Sequence, residues 1–214
     1  MYYGCDSGTD SVCDNETLFF YIGQLGYGTT VSSTYFNTSA ANQAKQNQGL
    51  VYGYWFLLGP DSDPDYNGTS SEAYAWGQKQ AHIAYNAWFN NPYVTQWTLF
   101  GDVEITSTSE TNGWGTSTAL NQKVWEGFYN QLSSEGLIPG VYSGPTLWQS
   151  IMGSGYNLNG VTPLWTSEPQ ESCGICPSNM ANAQGFGNES PSVWQYNISN
   201  TCSVDLDCSS SLPS

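Results

Sequence analysis

The chain contains no arginine, only three lysines (Lys45, Lys79, Lys123) and a single histidine (His82) in 214 residues, against 18 acidic side chains and a formal net charge of −15. A surface that grips nucleic acid needs clustered Lys or Arg to displace the counterions around phosphate, so nucleic acid is excluded as a partner. Anionic membranes are excluded on the same ground. No apolar run approaches the roughly 18 residues of a membrane span, and no basic start followed by an apolar stretch marks a leader. One histidine and one CxxC pair, Cys173 with Cys176, leave zinc or thioredoxin-like chemistry nothing to build on, so no metal and no cofactor are expected.

What is present fits an exported protein. Few residues are charged, while Ser, Thr, Asn, Gln and Gly abound, so solubility comes from neutral polar groups and net negative charge. Six cysteines, Cys5, Cys13, Cys173, Cys176, Cys202 and Cys208, form an even set. They suggest up to three disulfides in an oxidising compartment, with near neighbours paired: Cys5 with Cys13, Cys173 with Cys176, Cys202 with Cys208. A secreted, extracellular monomer is expected. Asn15, Asn37, Asn67, Asn188 and Asn197 head N-x-Ser/Thr sequons, which support glycosylation only in a eukaryotic source.

The length suits one domain over residues 1–214, with 209–214 expected to fray. Strands are predicted at Tyr2–Cys5, Leu18–Ile22 (closed by the glycine-rich Gly23–Gly28), Leu50–Leu58, Thr98–Ile105 and Pro139–Tyr142. Shorter ones follow at Pro163–Thr166, Val193–Tyr196 and Ser203–Leu206. Helices are predicted at Ser39–Gln48, Ser70–Phe89, Ser117–Ser134 and Thr146–Met152. Strand and helix alternate until the last third, where no room remains for full helices. The pattern predicts an α/β fold, a single TIM-like barrel of (β/α)5(β)3 type.

In such barrels chemistry sits at the carboxyl ends of the strands. Asp6, Asp102, Glu104 and Asp205 each lie at or just beyond a predicted strand end. Asp102 and Glu104 are two apart on one apolar strand, so they share a face, roughly 7 Å apart at about 3.3 Å rise per residue. Paired carboxyl groups are what glycosidic cleavage needs: one stays protonated to serve the leaving oxygen, the other stays charged. Asp207 shares a face with Asp205. Trp76, Trp88 and Trp125, at helical positions, are expected in the core, and Trp114, after the acidic pair, in a groove. His82 is read as structural, and Asp61, Asp63 and Asp65 as a polar loop in place of a calcium site.

Taken in order, Tyr3-Gly4-Cys5-Asp6, Gly53-Tyr54-Trp55-Phe56, Asp102-Val103-Glu104, Pro139-Gly140-Val141-Tyr142-Ser143, Pro163-Leu164-Trp165, Val193-Trp194-Gln195-Tyr196 and Val204-Asp205-Leu206-Asp207 resemble the family 25 glycoside hydrolases. These Chalaropsis-type lysozymes are N-acetylmuramidases, and the resemblance spans nearly the whole chain. It implies Glu104 as general acid and Asp102 as the group that orients the substrate acetamido or stabilises its cyclised intermediate. Asp6 and Asp205 would line the same cleft and tune those charges, while Tyr54, Tyr142, Trp165 and Trp194 would shape the sugar groove. Trp55 departs from the pattern, standing where the family commonly has histidine, and Gly23-Gln24 replaces a Lys-Ala-like pair. Tyr21-Ile22-Gly23 is also similar to a sister group of glycoside-hydrolase-like domains of unknown function.

The resulting expectation is a lysozyme that hydrolyses β-1,4 bonds between N-acetylmuramic acid and N-acetylglucosamine in peptidoglycan, with retention and by a substrate-assisted route. Two alternatives stand beside it. A family 18-like chitinase motif also ends D-x-E but expects a further Asp where this chain has Phe100. A carbohydrate-binding barrel that has lost turnover is the reading without an enzyme.

Overall fold

The structure, a computed structural model, describes residues 1–7, 18–32, 36–47, 49–105, 111–158, 163–168, 180, 183–197 and 205–213. Strands β1 (Tyr2–Ser7), β2 (Phe20–Tyr27), β4 (Leu50–Phe56), β5 (Thr98–Asp102), β6 (Ile138–Ser143), β7 (Leu164–Ser167), β8 (Val193–Asn197) and β9 (Asp205–Ser209) form a closed barrel. The short β3 (Thr30–Val31) hangs on the edge of β2 as a hairpin. Closure comes from β1, which pairs with β2 on one side and β9 on the other. Every barrel pairing is parallel except the two made by β9, which runs against both β1 and β8.

Helices α1 (Thr38–Gln46), α2 (Ser70–Asn90), α3 (Thr118–Ser134) and α4 (Pro145–Met152) occupy the crossovers between β2 and β7. Among the described residues none follows β7, as the shortening periods predict. Side-chain caps start α1 and α2, and Pro145 opens α4. In α2, Thr69 accepts from the Glu72 amide at 3.3 Å, and the Glu72 carboxylate reaches back to the Asn67 amide at 3.0 Å. Asn37 caps α1, its Oδ1 accepting from the Ser39 and Ala40 amides at 3.0 and 3.1 Å. That sequon asparagine is buried in a structural role and is not a free acceptor for glycan.

Strand alternation sorts the side chains into two layers. Phe20, Ile22, Tyr52, Tyr54, Phe100, Tyr142, Trp165 and Val193 fill the lumen. Leu25, Val51, Trp55, Leu57, Leu99 and Val141 face outward onto Ala73, Trp76, Val124, Trp125 and Phe128 of α2 and α3. Trp55, at the position of the family histidine, belongs to this outer layer, with Nε1 donating to Gly28 O at 3.1 Å. It does not enter the barrel mouth.

Two expectations on element limits need correction. The glycine-rich segment does not close β2, which runs on to Tyr27. Gly23 and Gly26 stay in the strand because neighbouring rings fill the space of their missing side chains: a Cβ at Gly23 would meet Phe36, and one at Gly26 would meet Trp55 and Thr30 O. Nor does the chain fray from residue 209. Ser209 ends β9 with its hydroxyl donating to Ser192 O at 2.7 Å. Leu212 packs on the lumen cluster, and the Tyr52 hydroxyl donates to Pro213 O at 2.6 Å, so this segment plugs the bottom of the barrel.

Cys5 and Cys208 are fully buried, and among the described residues no cysteine is free. Cys13, Cys173, Cys176 and Cys202 lie outside the described residues, and the three expected pairings with them.

Candidate active site

The carboxyl ends of β1 and β5 and the beginning of β9 deliver acids to one mouth. Register explains the convergence. Asp6 pairs with Asp205 across β1 and β9, and Asp102 pairs with Tyr142 across β5 and β6. Sequence alternation places Asp205 at the end of a strand; in fact it opens β9. Because β9 is antiparallel, its first residue and not its last stands beside the ends of the other strands.

β5 ends at Asp102, yet the chain stays aligned for two more residues. The Val103 amide donates to Tyr142 O at 2.9 Å, Ser143 Oγ donates to Val103 O at 2.8 Å, and Asn112 Nδ2 donates to Glu104 O at 3.0 Å. Glu104 thus keeps the inward parity of Asp102 while standing higher and half-buried at the lip. Two hollows meet there. One of about 450 Å³ is lined by Gln24, Tyr54, Asp102, Glu104 and Asn112. The other, of about 440 Å³, is lined by Glu104, Tyr142, Ser167, Glu168 and Gln184. A more apolar hollow beside Leu25, Phe36 and Tyr93 lies away from the acids and holds no group for bond cleavage.

Protonation follows from burial without cations. All three lysines sit on the outer helices α1, α2 and α3, so no positive side chain reaches the acids. Burial first, and Asp205 second, raise Glu104 from 4.5 to about 7. Asp102, whose Oδ1 is buried without a hydrogen-bond partner, is pushed well above the usual carboxylate range by burial, then by Glu104 and Asp6. Asp6 rises to about 8 through burial and Asp205, opposed by the hydrogen bond from Gln195 Nε2 at 3.0 Å.

Asp207 lies deeper on the same face as Asp205. Trp165 Nε1 donates to its Oδ1 at 2.7 Å, while Oδ2 has no donor unless a proton is shared with Asp6, whose carboxyl faces it. Asp6 and Asp207 therefore form a buried acid pair. Both Asp205 and Asp207 belong to the acid cluster.

The aromatic expectations divide. Tyr54 and Tyr142 stand at the mouth; burial, then the surrounding acids, pushes both hydroxyls well above their usual range, so they stay protonated donors. Tyr54 donates to Gln24 Oε1 at 3.0 Å. Trp165 is fully buried beneath them, its ring 4.3 Å from Tyr142 and 5.6 Å from Phe100, and forms the floor of the site instead of a groove wall. Trp194 points the other way. It packs behind the sheet with Tyr196, Leu206 and Cys208, with Nε1 donating to Glu168 O at 3.2 Å, because its strand parity is opposite to that of Gln195. Trp114 is likewise buried in the outer layer.

Gln195 is the residue that sequence reasoning passed over. Its Oε1 accepts from Tyr142 at 2.7 Å and from Ser167 Oγ at 2.8 Å while its Nε2 holds Asp6. An amide between two aromatics of one predicted strand, Trp194 and Tyr196, was the available signal. Phe100, where a chitinase motif expects acid, is a lumen ring against Tyr52 and Trp165. Outside the mouth, His82 is an exposed side chain on α2 with Nδ1 at 2.8 Å from Glu135. Pro60–Ser62 is a 3-10 turn followed by Asp63, whose Oδ1 accepts from the Asp65 amide at 3.3 Å.

The described residues form a closed barrel with an antiparallel last strand and a buried acid cluster at its mouth. The fold is that of the family 25 glycoside hydrolases. A muramidase from Trichobolus zukalii is similar over 99% of this chain and 95% of its own, at 19% identity and a TM-score of 0.65. A family 25 lysozyme from Aspergillus fumigatus is similar over 96% and 92%, at 18% identity and a TM-score of 0.66. A modular endolysin solved with a peptidoglycan analogue matches 99% of this chain and 55% of its own, at 16% identity and a TM-score of 0.61. No sequence family model matches the chain, and no curated protein does.

Proposed function

We propose that the protein is a secreted muramidase, cleaving the β-1,4 bond between N-acetylmuramic acid and N-acetylglucosamine in peptidoglycan with retention and by substrate assistance. The observation that carries this reading is Glu104, half-buried, raised to about 7 and standing where two hollows meet. A carboxyl group so tuned is protonated in mildly acidic medium and lies between the places where sugars on either side of a bond would rest. The likeness in fold to muramidases, and to an endolysin that binds a peptidoglycan analogue, supports the choice of substrate.

In the proposed route Glu104 gives its proton to the glycosidic oxygen as the carbonyl oxygen of the substrate acetamido attacks the anomeric carbon. The glycosidic bond breaks and a cyclic oxazolinium forms. Asp102 Oδ1, lacking a protein donor, accepts the acetamido N–H. That bond favours the carboxylate, so Asp102 gives up its proton to solvent as substrate binds, and the carboxylate then faces the positive ring. Water opens the ring from the side of the departed sugar, giving its proton to Glu104 and restoring both groups. Tyr142, held by Gln195, bounds the hollow on one side and Tyr54, held on Gln24, the other.

A turbidity assay on bacterial walls tests the assignment. The unaltered protein should clear walls and release reducing ends, and Glu104→Gln should fold normally and do neither. Lysis by Glu104→Gln would remove that residue from the role of acid. Retention on walls by the unaltered protein without new reducing ends would replace the enzyme with a carbohydrate-binding barrel.

A further inference from the structure

The carboxyl end of α2 and the segment leading into β5 carry four aromatic rings in one continuous strip. Tyr85, Trp88 and Phe89 lie at three- and four-residue spacing on the helix, and Trp97 directly precedes β5. The Tyr85 and Phe89 centroids are 6.0 Å apart with planes at 26°, and those of Tyr85 and Trp88 are 6.0 Å apart at 28°. Trp88 and Trp97 continue the row at 5.2 Å and 46°. Near-parallel rings at such separations are offset instead of piled face to face, so they tile the surface. Trp88 Nε1 donates to Gln96 O at 2.9 Å, which fixes the middle ring.

The outer rings are not core. Phe89 is 67% exposed and Trp97 58% exposed, although apolar area left in water forgoes about 25 cal/mol per Å². The strip is also free of charge. Residues 83–101 contain no Asp, Glu, Lys, Arg or His in a chain of net charge −15. The adjoining charged groups are already engaged: His82 with Glu135, and Lys45 with Pro92 O at 3.1 Å. Exposed amides, Asn86 and Asn90, flank the rings; their Nδ2 groups donate to His82 O at 2.9 Å and Asn86 O at 2.8 Å, so it is the amide oxygens that can accept from sugar hydroxyls.

These features select among occupants. A membrane surface would call for a cluster of basic residues beside the aromatics, whereas the one adjoining lysine, Lys45, is tied to Pro92 O. A stable dimer needs about 800 Å² on each partner, more than a strip with two exposed rings presents. A neutral sugar chain suits it: pyranose rings lay their apolar C–H faces on flat aromatic rings, and their hydroxyl and acetamido groups meet amides at the edge.

We propose that this strip is a second carbohydrate-binding site, one that stacks a strand of N-acetylated β-linked glycan apart from the site of cleavage. α2 runs against the strands that it joins, so its carboxyl end and the start of β5 lie at the end of the barrel opposite Asp102. A strand held there is therefore distinct from the one in the mouth. The inference rests on the proposed function only for the identity of the polymer.

Co-sedimentation with peptidoglycan stripped of teichoic acid tests it, using Glu104→Gln so that the polymer stays intact. Adding Phe89→Ala and Trp97→Ala should lower retention about tenfold, the scale of two lost aromatic contacts. Phe89→Tyr with Trp97→Tyr should restore it, which a mere folding defect would not permit. In the parent background the alanine pair should leave cleavage of a short soluble oligosaccharide unchanged. Equal retention with and without the two rings overturns the proposal, as does a change in oligomeric state or in vesicle binding that accounts for the loss. The readout is binding, so it stands even if no hydrolysis is ever found; in that case the proposed function fails and this site does not.

Discussion

The upper and lower halves of the barrel lumen are built from the same strands and the same inward-facing parity, yet they do opposite things. In the lower half Phe20, Tyr52, Phe100 and Val193 pack tightly above Leu212, and their burial drives folding. In the upper half the inward positions are Asp6, Asp102, Gln195 and Asp207, all nearly free of solvent. Burial there opposes folding, and protons plus a few donors offset it. Strand alternation therefore decides which residues face inward, while distance along the strand decides whether facing inward serves stability or chemistry.

Four measurements sharpen the contrast. The largest expected effect is Glu104→Gln, a loss of about 10²- to 10⁴-fold in wall lysis with an unchanged melting temperature in mildly acidic medium, as general acid catalysis predicts. Phe100→Ala should do the reverse and destabilise the fold by about 3–5 kcal/mol in denaturant titration, through a cavity in the lower half. If Phe100→Ala left stability intact, the division of labour between the halves would be wrong.

The third measurement is a pH series. Asp6 and Glu104 bind protons more tightly folded than unfolded, so their contribution is full below the ordinary carboxylate range. It is lost as pH rises through about 7 for Glu104 and about 8 for Asp6. Melting temperature should therefore decline from mildly acidic to mildly alkaline medium. Asp6→Asn, which keeps an oxygen for Gln195 Nε2, should flatten that decline. An Asp6→Asn protein with the same slope as the parent would refute the buried acid pair as its source. Activity should fall over the same range as Glu104 loses its proton.

The smallest effect concerns approach to the mouth. A protein of net charge −15 is repelled by anionic walls at low salt, so lysis should increase modestly from low to intermediate ionic strength. A steady decrease from the lowest salt would reject that account.

Much of the mouth was legible before the structure. The apolar run that ends in Asp102 and Glu104 announces a strand and a shared face by composition and parity alone. Asp6 follows from a short strand whose end is polar. Ring type says nothing about which side of a sheet a residue occupies, and one residue of parity places Trp194 behind the barrel and not in the groove. Asp207 and Gln195 were harder to find, since their roles depend on pairings across more than 180 residues of chain, with Gly4 and Asp6. The course of β9 is the main thing sequence alternation could not reveal. Nothing local in Asp205–Ser209 distinguishes a strand that runs up from one that runs down.

That reversal has an engineering consequence. Antiparallel pairing sets Tyr2 opposite Ser209, so residues near the start and near the finish of the described chain are neighbours on the base of the barrel. A circular permutant with a short bridge between them, opened in an outer loop such as Pro64–Gly68, should assemble the same mouth. A domain joined near Tyr2 or Ser209 would hang from the base, clear of polymer entering the mouth and on the same end as the aromatic strip.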